Sequence, residues 1–272
     1  MTEGYDRKYA ISAGVLFIIA DLVGFLSLPF MAPTNATNYL TSVSTNGGLV
    51  ATAALLLFIG GAAAIGIAIS LYPVLKRSNE SLALGAVVFR TAEGVFDFVA
   101  VIGLLLLITL SQQFVNAGAP DSSYFQTFGV LLVSGYHWVA NVGKLLAFSI
   151  GALLYYIIFY RTELVPRWLS GWGVVAAIMT MVSAVLAMFS LISPFSVGQV
   201  ILNLPILVQE LVLAAWLIIK GFNPSAKAAG TAHEECPRTN VEASQQPEGD
   251  SGNMLADCGN NHQNQTRGES DQ

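Results

Sequence analysis

The sequence predicts an all-α fold, a polytopic membrane helix bundle of six transmembrane helices with the N- and C-termini cytoplasmic. Three observations predict it. Only 11% of the 272 residues are charged, against about 25% in a soluble domain. The apolar residues gather into runs of more than 20, and a helix needs about 20 to cross a hydrocarbon core roughly 30 Å thick. Lysine and arginine fall in alternate inter-run loops, as the positive-inside bias requires. A β-barrel would instead show alternating segments of about ten residues.

The runs are Tyr9–Met31, Leu49–Leu75, Leu82–Leu110, Gln126–Tyr160, Trp168–Ile192 and Gln199–Lys220. The first is longer than a signal-peptide core, carries Asp21 at its middle and is followed by no A-x-A site, so it is expected to be a retained span. In the second, Ala62, Gly66 and Ser70 recur every four residues beside Gly60 and Gly61, a spacing that lets helices approach closely. The fourth is too long for one simple crossing. Its first part, up to about Ser134–Gly135, is expected to project from the membrane or lie on its surface. Pro73, Pro166 and Pro194 mark helix ends, and Pro205 is expected to kink the sixth run just before Glu210.

Orientation follows from the bases. Arg7 and Lys8, Lys76 and Arg77, Arg161 and Arg167, and Lys220 mark one side, whereas loops 32–48, 111–125 and 193–198 carry none. Tyr155, Tyr156, Phe159, Tyr160, Trp168 and Trp172 are expected to form an aromatic belt at the inner interface. The localisation expected is the cell (plasma) membrane, multi-pass.

The organisation expected is a six-span domain over residues 1–222 and a disordered acidic cytoplasmic tail over residues 223–272. Residues 221–272 hold eight acids and three bases, which accounts for the whole net charge of −5. The tail is rich in Gly, Ser, Asn, Gln, Glu and Pro and lacks aromatic residues. Its Cys236 and Cys258, with His233 and His262, match no compact zinc-finger spacing. No metal site and no cofactor are expected. No basic surface offers itself to nucleic acid. Membrane lipids are the expected partners, and a small solute or ion, a membrane-protein partner or a second copy of the chain stay open.

The functional candidates are the charges inside the runs. Arg90 and Lys144 are basic, and Asp21, Glu93, Asp97 and Glu210 are acidic. Each such charge, unpaired at a helix centre, raises the insertion free energy by about 2.5–3.5 kcal/mol. Pairing, neutralisation or water must therefore offset them. At 100° per residue, Arg90, Glu93 and Asp97 fall within an arc of about 60°. Ser134, His137, Asn141 and Lys144 form a stripe on the fourth run, and Gln199, Asn203 and Glu210 one on the sixth. The stripes can converge on a polar centre. Arg90 and Glu93 can pair along one helix, and Arg90 to Glu210 or Asp97 to Lys144 can bridge between helices. With two bases against four acids, at least one carboxylate is expected to have a raised pKa from burial and like charge, and Asp97 and Asp21 are the candidates.

Nucleotide, zinc-protease, serine-hydrolase and potassium-filter signatures do not occur. A single span histidine, His137, cannot supply a pair of haem ligands. An enzyme would need a nucleophile or metal set that the sequence does not display. Two readings stay open. In one, Arg90, Glu93, Asp97, Lys144, Glu210, Asp21, His137, Asn141 and Asn203 serve a polar intramembrane site for a small solute, ion or proton, as in a transporter. In the other, the Arg90–Glu93 network is a helix clamp in a structural or accessory protein.

Two stretches carry a family resemblance: "LLYYIIFYRTELVPRWLSGWGVV" at 153–175 and "QELVLAAWLIIKGFN" at 209–223. With the Arg-x-x-Glu at 90–93, the chain resembles the family catalogued as domain of unknown function 4386 over roughly residues 9–223. The resemblance implies a small multi-span membrane protein of bacteria or archaea with no assigned activity. It marks Arg90, Glu93, Pro166, Arg167, Glu210 and the Trp216–Gly221 end as family-type positions. Asp21, Asp97 and Lys144 fall outside that pattern.

Overall fold

A computed structural model describes residues 2–120, 124–193 and 196–223, with side chains from Asp6 onward. Pro194 and residues 224–272 of the expected tail lie outside the described residues. The elements are α1 (Thr2–Phe30), a 3-10 turn (Ala32–Asn35), α2 (Tyr39–Thr45), α3 (Gly47–Leu75), α4 (Glu80–Asn116), α5 (Tyr124–Trp138), a π-helical turn (Val139–Gly143), α6 (Lys144–Thr162), α7 (Arg167–Met188) and α8 (Val197–Ile219). No strand occurs among the described residues. Six helical stretches are long and apolar enough to cross a membrane: α1, α3, α4, the continuous α5–α6 run, α7 and α8.

The long spanning helix α4 is inside-out relative to a soluble one. On α4 the buried face carries Arg90, Glu93 and Asp97, while Val88, Val95, Val99, Ile102 and Leu106 are exposed. Water would reject that arrangement and hydrocarbon requires it. The chain is a multi-pass membrane protein.

The spanning helices pack in sequence order. α1 lies on α3, α3 on α4, α4 on α6, α6 on α7 and α7 on α8, and α8 closes back onto α1. The result is a ring. Two close approaches fix its tightest part. A Cβ on Gly94 would stand 2.7 Å from the Gly61 carbonyl oxygen, and one on Gly61 would stand 2.9 Å from that of Gly94. Only hydrogen at both positions lets α3 and α4 touch backbone to backbone. Gly66 faces Leu16 of α1, and the Ser70 and Ser12 hydroxyls are 3.2 Å apart. Ala62 is exposed, so Gly61 replaces it in the expected stripe.

The basic residues gather at one end. Arg7 donates to the carbonyls of Ile218 and Ile219 at 2.7 and 3.1 Å, tying down the otherwise unsatisfied C-terminus of α8. Arg77 pairs with Asp6 at 3.0 Å. Asn223 reaches Glu163 and Leu164 backbone oxygens at 2.7 and 2.9 Å. One apolar core fills this end, built on Tyr155, Tyr156, Phe159, Leu169 and Leu217. Tyr155, Tyr156 and Phe159 are thus core residues and not belt residues, because their helix phase turns them inward. Tyr160 and Trp168 alone of the expected belt are largely exposed.

The opposite end differs from expectation. Segment 32–48 is not a plain polar loop: Leu40 and Val43 of α2 are buried in a second core with Leu104, Leu107, Phe114 and Phe125. The Tyr39 hydroxyl donates to the Gln126 carbonyl at 3.3 Å. α4 has 37 residues and the α5–α6 run 39, which at about 1.5 Å per residue exceed a hydrocarbon core of roughly 30 Å. Their far ends and α2 form a packed cap.

Candidate functional site

The polar centre lies between the two cores. α4 starts from Asn79, whose side chain accepts from the Leu82 N–H at 2.9 Å, a cap that fixes the helix start. The Gly61–Gly94 contact then sets the rotation that aims Arg90, Glu93 and Asp97 into the ring. Gly151 of α6 admits the Arg90 backbone from the other side: a Cβ there would stand 3.2 Å from the Arg90 nitrogen.

Arg90 is 2% exposed. Its Nη1 stands 3.0 Å from Glu93 and 3.9 Å from Glu210. The contact with Glu93 is an ion pair without hydrogen-bond alignment. Phe148 and Phe17 rings flank the guanidinium carbon, their centroids 5.1 and 5.8 Å away, a cation–π sandwich. Lys144 pairs with Asp97 at 2.8 Å. Both bridges between helices that phase allows are therefore present. Asp97 thus has a base of its own.

The other two acids are arranged differently. Asp21 and Glu210 line the same cavity, and no base stands within ion-pair distance of Asp21 among the described residues. One buried Asp21 oxygen has no hydrogen-bond partner. Glu210 accepts from the Tyr155 hydroxyl at 3.3 Å. Asn203, about two turns from Glu210 on α8, donates to Ser183 at 3.1 Å. Pro205, between them, has no N–H to give the Ile201 carbonyl.

A cavity of about 300 Å³ occupies this centre, and all six spanning helices line it. Its polar wall is Asp21, Arg90, Glu93, Asp97, Lys144, Thr180, Asn203 and Glu210, and Phe25, Leu28, Leu57 and Leu207 are on the apolar side. The volume far exceeds the roughly 15 Å³ that one water needs. Thr180 Oγ1, Asn203 Oδ1, Arg90 Nε and the Asp21 oxygen have no protein partner there. Buried polar atoms are as a rule hydrogen-bonded, so these leave room for water or a ligand.

His137 and Asn141 lie elsewhere. They line a second cavity of about 260 Å³ with Ser134, Trp138 and Ser190. His137 also borders a third, of about 210 Å³, with Thr34 and Asn35. The stripe Ser134, His137, Asn141 and Lys144 is broken by the π-helical turn, which inserts one residue into the helical register. Asn141 donates to the His137 carbonyl at 3.1 Å and accepts from Gln199 at 3.1 Å. Lys144 alone of the stripe reaches the central cavity.

Several polar residues of the centre lie outside the sequence-derived set. Tyr155, Thr180 and Ser183 are three. Tyr156 and Gln209 are two more, hydrogen-bonded to each other, with Gln209 donating to the Leu169 carbonyl at 3.2 Å. A signal for Tyr155 exists in the sequence. Extending the stripe past Lys144 through Phe148 and Gly151, at steps of four, three and four, reaches it. Thr180 and Ser183 sit singly in an uncharged apolar run and give no signal.

Residues 12–221 match the family described as Domain of unknown function (DUF4386), and the chain belongs to it. No curated protein and no solved structure matches the chain.

Proposed function

We propose that this DUF4386 member is a plasma-membrane protein, termini in the cytoplasm, whose central cavity takes up a small solute, ion or proton as a transporter-like site. One observation carries the reading: six helices line a cavity of about 300 Å³ whose wall holds six ionisable side chains and polar atoms with no protein partner. Charges kept inside a membrane, facing a cavity rather than lipid, are the usual mark of a solute or proton pathway. Lipid covers the exposed apolar faces of the ring. The basic residues gathered at one end support the orientation.

The clamp reading has its own support. Arg90 bridges α4 to α8 and is fully enclosed. We assign the clamp to the Arg90–Glu93 wall and the site to the rest of the cavity.

Thiol accessibility tests the proposal. In a Cys236→Ser, Cys258→Ser background, Asn203→Cys and Thr180→Cys should react with a membrane-impermeant methanethiosulfonate cation. Leu106→Cys, on the lipid face, should not. Equal inertness of all three would refute a water-accessible site. Uptake of candidate solutes into proteoliposomes, reduced by Glu210→Gln, would extend it to transport.

A further inference from the structure

The seam between α1 and α8 changes character along its length. Arg7, Gly14, Asp21 and Leu28 recur every seven residues and keep nearly one face of α1. On α8, Asn203, Leu207, Glu210 and Ala214 recur at steps of four, three and four. Near the basic end the two faces are packed. Arg7 reaches the last α8 carbonyls, and a Cβ on Gly14 would stand 2.8 Å from the Ala214 oxygen. Farther along, the same two faces line the central cavity. A Cβ on Gly24 would meet nothing within 4 Å. Phe25 and Leu28 line the cavity and are still 69% and 43% exposed. The cavity therefore has a side mouth between α1 and α8, in the half away from the basic end, with an apolar rim.

Behind the rim, acids outnumber bases: four carboxyls and two bases line the cavity. Arg90 and Lys144 stand within 3.0 Å of Glu93 and Asp97. Glu210 shares Arg90 at 3.9 Å, and among the described residues Asp21 has no base within ion-pair distance. A cation would complete this balance, and an anion would worsen it. A second observation marks the same place. Thr180 is 1% exposed and its Oγ1 has no protein partner, nor has one oxygen each of Asp21 and Asn203. A metal ion is the poorer occupant. Among the described residues no group of three or more Asp, Glu, His and Cys side chains can hold one, and Phe25, Leu28, Leu57 and Leu207 offer it no ligand. At about 300 Å³ the cavity falls at the lower end of the roughly 300–1,000 Å³ of small-molecule sites.

We propose that the cavity takes an organic cation, an ammonium head on a small apolar body, and that this solute enters sideways from the bilayer between α1 and α8. The head stands at Asp21, the acid without a base, with the Thr180 and Asn203 oxygens on the same cavity wall. The body lies against Phe25, Leu28, Leu57 and Leu207. The Phe25 ring at the rim offers the head a π face on its way in. Arg90 does not compete for this place, because it is held between the Phe17 and Phe148 rings beside Glu93. A solute of this kind partitions into the membrane before it binds, which suits a mouth that faces hydrocarbon. The inference rests on the cavity being a solute site, and it names the class of solute.

Equilibrium dialysis of radiolabelled benzyltrimethylammonium against the full chain in zwitterionic lipid nanodiscs tests it, with empty nanodiscs as the blank. The charge of this probe does not depend on pH. Wild type should bind it saturably. Neopentylbenzene, the same shape with carbon in place of nitrogen, should not compete. Asp21→Asn should weaken binding at least about tenfold, as loss of a buried charge partner does. Glu80→Gln removes the same charge from the exposed first turn of α4 and should bind as wild type does. Gly24→Phe puts a ring into the open space of the mouth and should weaken binding while the chain still folds. Circular dichroism and a monodisperse elution profile identify variants that fold. No saturable binding in wild type, equal competition by neopentylbenzene, or wild-type binding by Asp21→Asn overturns the cation. Unchanged binding by Gly24→Phe overturns the side entry. Thiol labelling of Asn203→Cys without probe binding keeps the cavity as a solute site and removes this class of ligand. Absence of both labelling and binding removes the site itself.

Discussion

Two walls of one cavity handle buried charge in opposite ways. On the α4–α6 wall, Arg90 with Glu93 and Lys144 with Asp97 close into ion pairs at 3.0 and 2.8 Å. On the α1–α8 wall stand Asp21 and Glu210, and unpartnered oxygens of Thr180 and Asn203 share their cavity. The first wall satisfies its charges with protein. The second leaves Asp21 without a base and gives Glu210 a share of Arg90 at 3.9 Å and the Tyr155 hydroxyl at 3.3 Å.

The sharpest way to break the comparison is to remove the base that the paired wall depends on. Arg90→Leu strands Glu93 and Glu210 together and should destabilise the chain by about 3–5 kcal/mol, the usual loss when one partner of a buried pair is deleted. Reversible unfolding in mixed micelles measures it. A loss near zero would mean the wall is hydrated and not clamped. Asp97→Ala should cost less than that range, because the Lys144 side chain is 26% exposed and water can relieve it. Adding Lys144→Met should recover part of the loss, and the double-mutant cycle reads the coupling.

Gly94→Ala tests how the paired wall is aimed. Its Cβ would meet the Gly61 oxygen at 2.7 Å, so overpacking of about 1–3 kcal/mol is expected. The Asp97–Lys144 contact should loosen with it. Tyr155→Phe removes one hydrogen bond to Glu210 and should cost about 1 kcal/mol. Smallest of all, Asp21→Asn on the open wall should stay within about 0.5 kcal/mol of wild type or stabilise it, since it deletes a charge without stranding a base. A large loss from Asp21→Asn would make both walls structural and erase the distinction.

How far the sequence reached can be followed on particular residues. The spacing of Arg90, Glu93 and Asp97 gave their common face, because one helix fixes phase regardless of its neighbours. The Arg90–Glu210 and Asp97–Lys144 bridges were available among the alternatives but could not be chosen from phase alone. Asp97 could not be recognised as the paired acid, since that depends on where α6 stands. Tyr155 and Tyr156 read as interface aromatics from composition, and only the turn of α6 in the ring buries them. The π-helical turn at Val139–Gly143, which removes His137 and Asn141 from the centre, has no sequence mark that hydropathy or periodicity detects. The helix α2 was hidden because seven residues of mixed polarity carry too little periodicity to stand out.

By itself the sequence determined the class, the spans, the alternation of bases and the inward direction of the charged faces. These follow from local quantities: hydrocarbon thickness, helical pitch and the free energy of exposing charge to lipid. The closing of α8 onto α1, the division of six charges into a paired wall and an open one, and the cavity between them were decided only in three dimensions. An ion pair is a distance between helices, and that distance is set by backbone contacts such as Gly61 against Gly94, which no single helix contains.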